Sequence, residues 1–179
     1  VTPTTMTRVI HTGDTHVGYR QYHSPERRQD FLDAFEAVID DAVSGPDGPT
    51  VDAVVHAGDL FHDRRPDLPD LLGVLSALRR LDAAGVPFLA LVGNHEATRG
   101  RQWLDLFGNL GLAPRLDGDP TLVGDAAFYG LDHVPRSRRD DLDYEFTPPP
   151  ADAEATALVA HGLFTPFPHA DWDTEALLD

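Results

Sequence analysis

The alternation of short apolar runs with longer amphipathic ones is the feature that most constrains how this chain can fold. Residues 8–12, 51–58 and 86–93 are apolar and of strand length, whereas 24–42 and 70–84 carry apolar residues at helical spacing. Near-continuous apolar strands that alternate with helices are typical of a sheet covered by helices. The pattern therefore predicts a layered α/β fold.

The later part of the chain continues this pattern with shorter elements. A short helix is expected over 102–111, two short strands within 120–134 that turn at Gly124-Asp125, and a strand followed by a loop over 155–164. Residues 136–146 are expected to form a short helix or a loop. At 179 residues the chain has the length of one domain, so we expect residues 1–179 to share one core.

The charge composition is unusual, with 30 acidic residues against 14 basic ones and a formal net charge of −16. All the basic residues are arginine, and Asp outnumbers Glu 24 to 6. A surface rich in Asp and free of Lys indicates a protein from a halophilic cytoplasm, where molar salt shortens the screening length to about 3 Å. The alternative is an ordinary acidic protein.

Other compositional features exclude several classes of protein. The chain has no cysteine, which excludes thiolate catalysis and zinc–thiolate sites, so any metal must bind His, Asp, Glu or Asn. No apolar run reaches membrane-spanning length, and no signal peptide is recognisable. We therefore expect a cytoplasmic protein with no membrane partner.

Polar residues follow four of the predicted strands. In open α/β sheets, ligands bind beyond the carboxyl ends of the strands. The residues delivered there are Asp14, His16, Asp59, His62, Asn94, His95, Glu96 and His161. Carboxylate, imidazole and amide oxygen together suit Mn²⁺, Fe²⁺ or Zn²⁺, and a carboxylate can bridge a pair of ions about 3.5–4 Å apart at a phosphoryl centre.

The spacing of these residues suggests a role for each. Asp14 and His16 alternate in one loop and can face one ion, while Asn94 and His161 can serve the other. Asp59 is then the natural bridging carboxylate. Alternative interpretations are an Asx-type turn with a surface His at the first loop, a capping Asn in a turn at the third, and a core His at position 161.

Several further polar residues lie near these strand ends or within the strands. His95 adjoins a ligand but faces differently, which leaves it free to protonate a leaving oxygen, and Glu96 is interpreted as a supporting residue. His11 and His56, within strands, are expected to be packed core histidines, and His133 a surface residue. Three arginines near the loops could hold phosphates of a substrate or equally pair with the abundant aspartates: Arg20, Arg64 and Arg65.

The motifs Asp-x-His, Gly-Asp, Gly-Asn-His-Glu and a late His together resemble the calcineurin-like metallophosphoesterases. Within that superfamily, "HTGDTHVGYRQYHSPERRQDF" (11–31) and "HAGDLFHDRRP" (56–66) resemble DNA double-strand-break repair nucleases. These are of the archaeal and eukaryotic "meiotic recombination eleven" type, related to the bacterial SbcD exonuclease subunit. The resemblance extends from about residue 8 to the last residue.

The resemblance implies a sandwich of two mixed sheets flanked by helices and a nuclease with two divalent metal ions, Mn²⁺ in the family. It also implies 3′→5′ exonuclease action on duplex DNA, endonuclease action on single strands, an SMC-like ATPase partner and a homodimer. Carried over by motif, His95 matches the catalytic histidine and His62 a histidine that orients or neutralises the phosphate. The positions that match metal ligands are Asp14, His16, Asp59, Asn94 and His161.

The sequence departs from the family pattern after its late histidine. The family completes its site with a Gly-His-x-His motif, whereas His161 is followed here by "GLFTPFPHADWDTEALLD", with His169 as a lone histidine. We therefore expect the N-terminal portion of the nuclease domain, without its cap domain and ATPase-binding segment. The alternatives to a nuclease are a phosphatase of a small phosphoester and a catalytically incomplete DNA- or partner-binding fragment.

Overall fold

The fold contains two three-stranded sheets, and the three longest helices pack on the first of them. A computed structural model describes residues 6–98, 100–139 and 145–178. The strands of this part of the chain are β1 (Val9–Thr12), β2 (Ala53–His56), β3 (Phe88–Ala90), β4 (Thr121–Val123), β5 (Ala126–Leu131) and β6 (Ala155–Ala160). The helices are α1 (Pro25–Val43), α2 (Leu68–Ala84), α3 (Trp103–Asn109) and α4 (Thr174–Leu178), with 3-10 turns at Gln21–His23 and Arg136–Arg138.

The two sheets differ in strand direction. The first has the order β1-β2-β3 and is parallel, with Thr12 opposite His56 and His56 opposite Ala90. The second has the order β4-β5-β6, with β4 antiparallel and β6 parallel to β5. The predicted layered α/β sandwich is confirmed, with mixed strand directions in the second sheet. Of the segment predicted as helix or loop, residues 140–144 lie outside the described residues.

Strand β2 lies at the centre and divides its side chains between two cores. Val54 packs with α1 and α2, in a cluster that includes Phe35 and Leu78. Val55 points the other way, into the cluster between the sheets that includes Phe128. Alternate side chains of a strand point to opposite faces, so burial on both sides explains why β2 reads as an uninterrupted apolar run.

Helix boundaries follow the local sequence. The Ser24 hydroxyl accepts a hydrogen bond from the Arg27 backbone N–H at 3.2 Å and caps α1, with Pro25 in the first turn. Helix α2 ends at Gly85, whose φ of 73° is the left-handed conformation that favours glycine. Within the described part of the chain, no helix is both long and apolar enough to cross a membrane.

The two histidines predicted to be core residues have different environments. His56, at the end of β2, is fully buried, as predicted. His11 is exposed, so that prediction is wrong. The reason is that β1 is the outer strand of its sheet and alternates between exposed and half-buried residues, whereas β2 is covered on both faces.

Candidate metal centre

The loops after β1 and β2 are joined directly by backbone hydrogen bonds. The Asp14 N–H donates to the Gly58 carbonyl at 3.0 Å, and the His16 N–H donates to the Asp59 carbonyl at 3.0 Å. Parallel strands bring their carboxyl ends to the same edge of a sheet, and these bonds extend the pairing beyond the strands. The predicted ligands of the first two loops are thereby placed side by side.

Three of the predicted ligands have a left-handed backbone although none is glycine. The φ angles are 52° at Asp14, 43° at His16 and 56° at Asp59. This conformation costs about 1–2 kcal/mol for a residue with a Cβ atom, and such strain concentrates at functional sites. The surrounding hydrogen bonds therefore hold each of these side chains in a direction that a relaxed loop would not favour.

Asp59 lies at the centre of the site and is only 2% exposed. Its Oδ1 accepts a hydrogen bond from the His95 backbone N–H at 2.9 Å. Its Oδ2 lies 3.8 Å from Nε2 of His16 and 3.6 Å from Nε2 of His161. One carboxylate oxygen thus stands between two imidazoles that come from different strands, which is the arrangement expected of a bridging ligand.

One group of donor atoms contains Asp14, Asp59 and His161, whose ligand atoms all lie within 4.8 Å of one another. Asn94 joins this group, because its Oδ1 lies 2.8 Å from Nε2 of His161. Ligands bound about 2.1 Å from one octahedral ion stand about 3 Å apart when adjacent and about 4.2 Å apart when opposite. The carboxylate, amide and imidazole donors therefore match a divalent cation in type and lie close to the spacing that it requires.

The tautomer of His161 also fits metal binding. Its Nδ1 lies 2.8 Å from the Ala57 carbonyl oxygen, which can only accept, so Nδ1 carries the proton and donates. Nε2 faces two acceptors, Oδ1 of Asn94 at 2.8 Å and Oδ2 of Asp59 at 3.6 Å, so a second ring proton or a bound cation satisfies this side of the ring. A backbone carbonyl that orients the distal nitrogen is the usual support of a ligating histidine.

A second group contains three histidines, His16, His62 and His95, with ligand atoms also within 4.8 Å of one another. The ring centroids of His16 and His95 are 4.7 Å apart. Tyr19 packs on His62, with ring centroids 4.1 Å apart. Burial lowers the pKa of His16, which favours the neutral imidazole that a metal requires. Among the described residues, the buried Nδ1 atoms of His16 and His62 have no hydrogen-bond partner.

A sequence match shows the family to which a chain with this geometry belongs. Residues 7–176 match the profile of the family described as calcineurin-like phosphoesterase. The chain belongs to the calcineurin-like phosphoesterase family. The donor groups around Asp59 agree with the divalent-metal use that the name metallophosphoesterase implies.

The phosphoesterase chain is also similar to archaeal proteins named DNA double-strand break repair protein Mre11. It is 75% identical to the protein of Haloferax volcanii over 173 aligned residues. These residues make up 97% of this chain and 38% of the relative. It is 65% identical to that of Halobacterium salinarum, covering 97% and 43%, and 52% identical to that of Methanosarcina acetivorans, covering 96% and 28%. The chain thus spans less than half the length of these relatives.

Glu96 links the second and third loops of the phosphoesterase site. The side chain is buried, and Oε1 accepts a hydrogen bond from the Phe61 N–H at 2.8 Å while Oε2 lies 3.4 Å from the Gly93 nitrogen. Burial raises the pKa of Glu96 to about 7, although both backbone donors favour the charged form. These contacts are those of a residue that supports its neighbours Asn94 and His95, as the sequence suggested.

The arginines proposed for substrate binding have different surroundings. Nη2 of Arg20 lies 3.0 Å from Oδ2 of Asp67, so pairing with aspartate, the alternative considered from the sequence, is present there. Arg64 and Arg65 line an open cleft in the phosphoesterase site, together with His62, Asp63, Asn94 and His95. The part of the chain that the structure describes offers no ion pair to the Arg64 guanidinium.

Sequence reasoning missed residues that lie beside the site. The ring of His133 lies 6.2 Å from that of His161, although a surface position was predicted. Asp132 accepts a hydrogen bond from the Val92 N–H at 2.7 Å. Both follow β5 directly, so the polar-after-strand signal could have found them. Thr15 lies between two residues that the signal identified, but its hydroxyl lies 2.9 Å from Nε2 of His56, and spacing along the chain does not reveal that contact between the first loop and β2.

Proposed function

We propose that this chain carries the metal-dependent nuclease centre of a DNA double-strand-break repair protein. The observation that carries the proposal is the convergence of three strand ends and His161 on the buried carboxylate of Asp59. The 75% identity to a protein named for double-strand break repair supports the choice of DNA as the substrate. The cleft beside His95 is open to solvent, which favours a polymer over a small phosphoester.

In this proposal the residues around Asp59 would hold two divalent ions, with Mn²⁺ as the proposed metal. Asp14 and His16 would hold one ion, Asn94 and His161 would hold the other, and Asp59 would contribute to both. Bound ions of this kind supply Lewis-acid stabilisation of a phosphate and activation of water. Nε2 of His16 lies 3.7 Å from Oδ1 of Asp14, and Oδ1 of Asn94 lies 2.8 Å from Nε2 of His161, which supports this division of the ligands.

The remaining residues act on the substrate. The Nδ1–H of His95 donates to the His62 carbonyl at 2.9 Å, which fixes the ring and leaves Nε2 to hold a proton for the leaving oxygen. His62, at the same end of the cleft, would neutralise or orient the phosphate. Arg64 is better placed than Arg20 to contact a DNA phosphate, because Asp67 already occupies Arg20.

The wider functional expectations are part of the same proposal. They are 3′→5′ exonuclease and single-strand endonuclease action, an SMC-like ATPase partner, a homodimer and a cytoplasmic location. Helices α2 and α3 support self-association, since they expose Leu68, Leu72, Leu106 and Leu110, each pair four residues apart on one helix face.

A second candidate is a phosphatase of a small phosphoester. It is favoured by the family match, whose description names a phosphoesterase without naming a substrate.

Mn²⁺ titration combined with a DNA-cleavage assay in high salt separates the candidates. The protein is tested as this chain and as a version extended through the next His-x-His, on duplex ends, single strands and a generic phosphomonoester. Cleavage of DNA by the extended version supports the nuclease proposal, and cleavage by the extended version alone shows that this chain is incomplete. Hydrolysis of the phosphomonoester with untouched DNA would refute the nuclease proposal.

His95→Gln tests the proposed catalytic residue in the same assays. We expect turnover to fall by about 10²–10⁴-fold, because the general acid is lost, while Mn²⁺ affinity is retained. Asp59→Asn serves as the contrasting variant and should lose metal. If His95→Gln loses metal instead, the assigned role is wrong.

A further inference from the structure

A fully buried imidazole lies beneath the candidate metal centre and belongs to neither group of donor atoms. His56 is the last residue of β2 and is 0% exposed. Its ring packs on Phe88, with centroids 5.7 Å apart. A histidine buried in this way requires partners for both ring nitrogens, because an unpaired polar group is costly inside a protein.

Both nitrogens of His56 are satisfied, and the bonds define the tautomer. The Gly58 backbone N–H lies 3.3 Å from Nδ1, which must therefore accept. Nε2 then carries the proton and donates to the Thr15 hydroxyl oxygen at 2.9 Å. The Thr15 hydroxyl donates in turn to the Leu60 carbonyl at 3.2 Å. The chain of bonds runs in one direction, from Gly58 through His56 and Thr15 to Leu60.

These bonds connect the two loops beside residues whose backbones have positive φ angles. Thr15 stands between Asp14 and His16, which have φ angles of 52° and 43°. Gly58 and Asp59 have φ angles of 94° and 56°. The backbone bonds of Asp14 and His16 to the second loop fix one side of the first loop, and the Thr15 side chain adds a separate attachment.

We propose that His56 and Thr15 are positioning residues that set the distance between the Asp14/His16 loop and Asp59, and with it the affinity for divalent metal. An apolar residue at position 56 would leave the Gly58 N–H without this acceptor and the Thr15 hydroxyl without its donor. The inference rests on the proposed function, since it takes Asp14, His16 and Asp59 to be ligands.

The test compares Thr15→Val, which removes the hydroxyl at nearly constant volume, with Thr15→Ser, which keeps it. Mn²⁺ affinity is measured by calorimetry on the intact protein in high salt, and the urea midpoint is measured in EDTA. We expect Thr15→Val to weaken Mn²⁺ binding about tenfold, equivalent to about 1.4 kcal/mol, and Thr15→Ser to restore it to within about threefold. A purely structural role would lower the midpoint and leave the affinity unchanged, which would overturn the proposal.

His56→Phe and the double variant provide an independent check. If both residues act through one chain of bonds, the double variant should lose no more affinity than His56→Phe alone, whereas additive losses would overturn the proposal. Asp59→Asn separates this inference from the function on which it rests. Loss of Mn²⁺ in Asp59→Asn with unchanged binding in Thr15→Val refutes the positioning role alone. Unchanged binding in Asp59→Asn refutes both.

Discussion

At the scale of single residues, His56 makes stability depend on pH in a defined direction. Burial, with smaller effects from neighbouring histidines, lowers its pKa from 6.5 to about 3. The folded state therefore binds the proton less readily than the unfolded state. The stability associated with neutral His56 is fully present above pH 6.5 and is lost as the pH falls from 6.5 towards 3.

His56→Gln is expected to reduce this pH dependence. Relative to the variant, the wild type should lose about 1.4 kcal/mol of unfolding free energy for each pH unit below 6.5. Urea titrations at pH 7, 6, 5 and 4 measure the difference, and the slope is informative even if the variant is less stable throughout. Parallel pH curves for the two proteins would show that His56 is not the titrating group.

Gly93 is a second residue with a predictable effect. A Cβ atom at this position would collide with both the backbone nitrogen and Oδ1 of Asp59. We expect Gly93→Ala to destabilise the protein by about 1–3 kcal/mol through overpacking and to displace Asp59, weakening Mn²⁺ binding. Gly100→Ala is the matched control, because a Cβ there meets nothing within 4 Å. Equal midpoints and metal affinities for the two variants would contradict the expectation.

At the scale of secondary-structure elements, one ion pair joins α1 to α2 near the site. Arg28 donates Nε–H to Oδ1 of Asp70 at 2.9 Å and Nη2–H to Oδ2 at 2.6 Å, and Asp70 is 6% exposed. The Asp70 carboxylate also closes the space over Gly18, where a Cβ would lie 2.6 Å from Oδ2. The helix pair thereby supports the loop that follows β1.

Arg28→Ala should therefore be costly, because it leaves a buried carboxylate without its cation. We expect a loss of about 3–5 kcal/mol in unfolding free energy, measured by urea denaturation. The double variant Arg28→Met/Asp70→Leu removes both charges and should recover most of that loss. A double variant as unstable as Arg28→Ala would mean that packing of the arginine stem, and not the unpaired charge, determines the cost.

The helices and strands were largely predictable from the sequence, as were some helix ends, but the ends of the strands were not. Ser24 and Gly85 marked the start of α1 and the end of α2, since capping chemistry is local. Strand β3 was predicted over 86–93 but covers only Phe88–Ala90. The longer run is apolar because its residues are buried, and a residue can be buried without being paired in a sheet. His11 shows the reverse case, a residue that is paired in a strand but exposed. The position of a strand in its sheet decides which of its faces is covered.

The candidate site was predictable where one strand delivers its own residues. Asp14, Asp59 and Asn94 each follow a predicted strand closely, and their groups were found from that pattern. The contacts that join different strands were not predictable, including the bond between Thr15 and His56 and the approach of His133 to His161. Such contacts depend on the tertiary arrangement, which no local spacing encodes.

At the scale of the whole molecule, the net charge of −16 should make stability depend on salt. The ion pairs between arginine and acidic residues in the described part of the chain all use aspartate, and the 14 arginines cannot pair all 30 acids. The unfolding free energy should rise between about 0.1 and 1 M KCl, because the screening length falls from about 10 to about 3 Å. Urea midpoints across this range measure the effect.

A variant with less charge provides the control for this prediction. Asp41 and Asp47 are exposed, and Asp41→Asn/Asp47→Asn should respond less steeply to KCl than the wild type. A midpoint that falls with salt would argue for an ordinary acidic protein stabilised by its ion pairs. The relatives from Haloferax volcanii and Halobacterium salinarum agree with the halophilic interpretation.

The close packing of Gly93 against Asp59 has a consequence for which ions the centre can accept. Asp59 is held by the His95 N–H on one oxygen and by Gly93 behind it, so its carboxylate cannot retreat. Ions of Mg²⁺ size bind oxygen at about 2.0–2.1 Å, whereas Ca²⁺ needs about 2.3–2.6 Å and more ligands. In the proposed centre, a carboxylate restrained in this way should favour the smaller divalent cations over calcium.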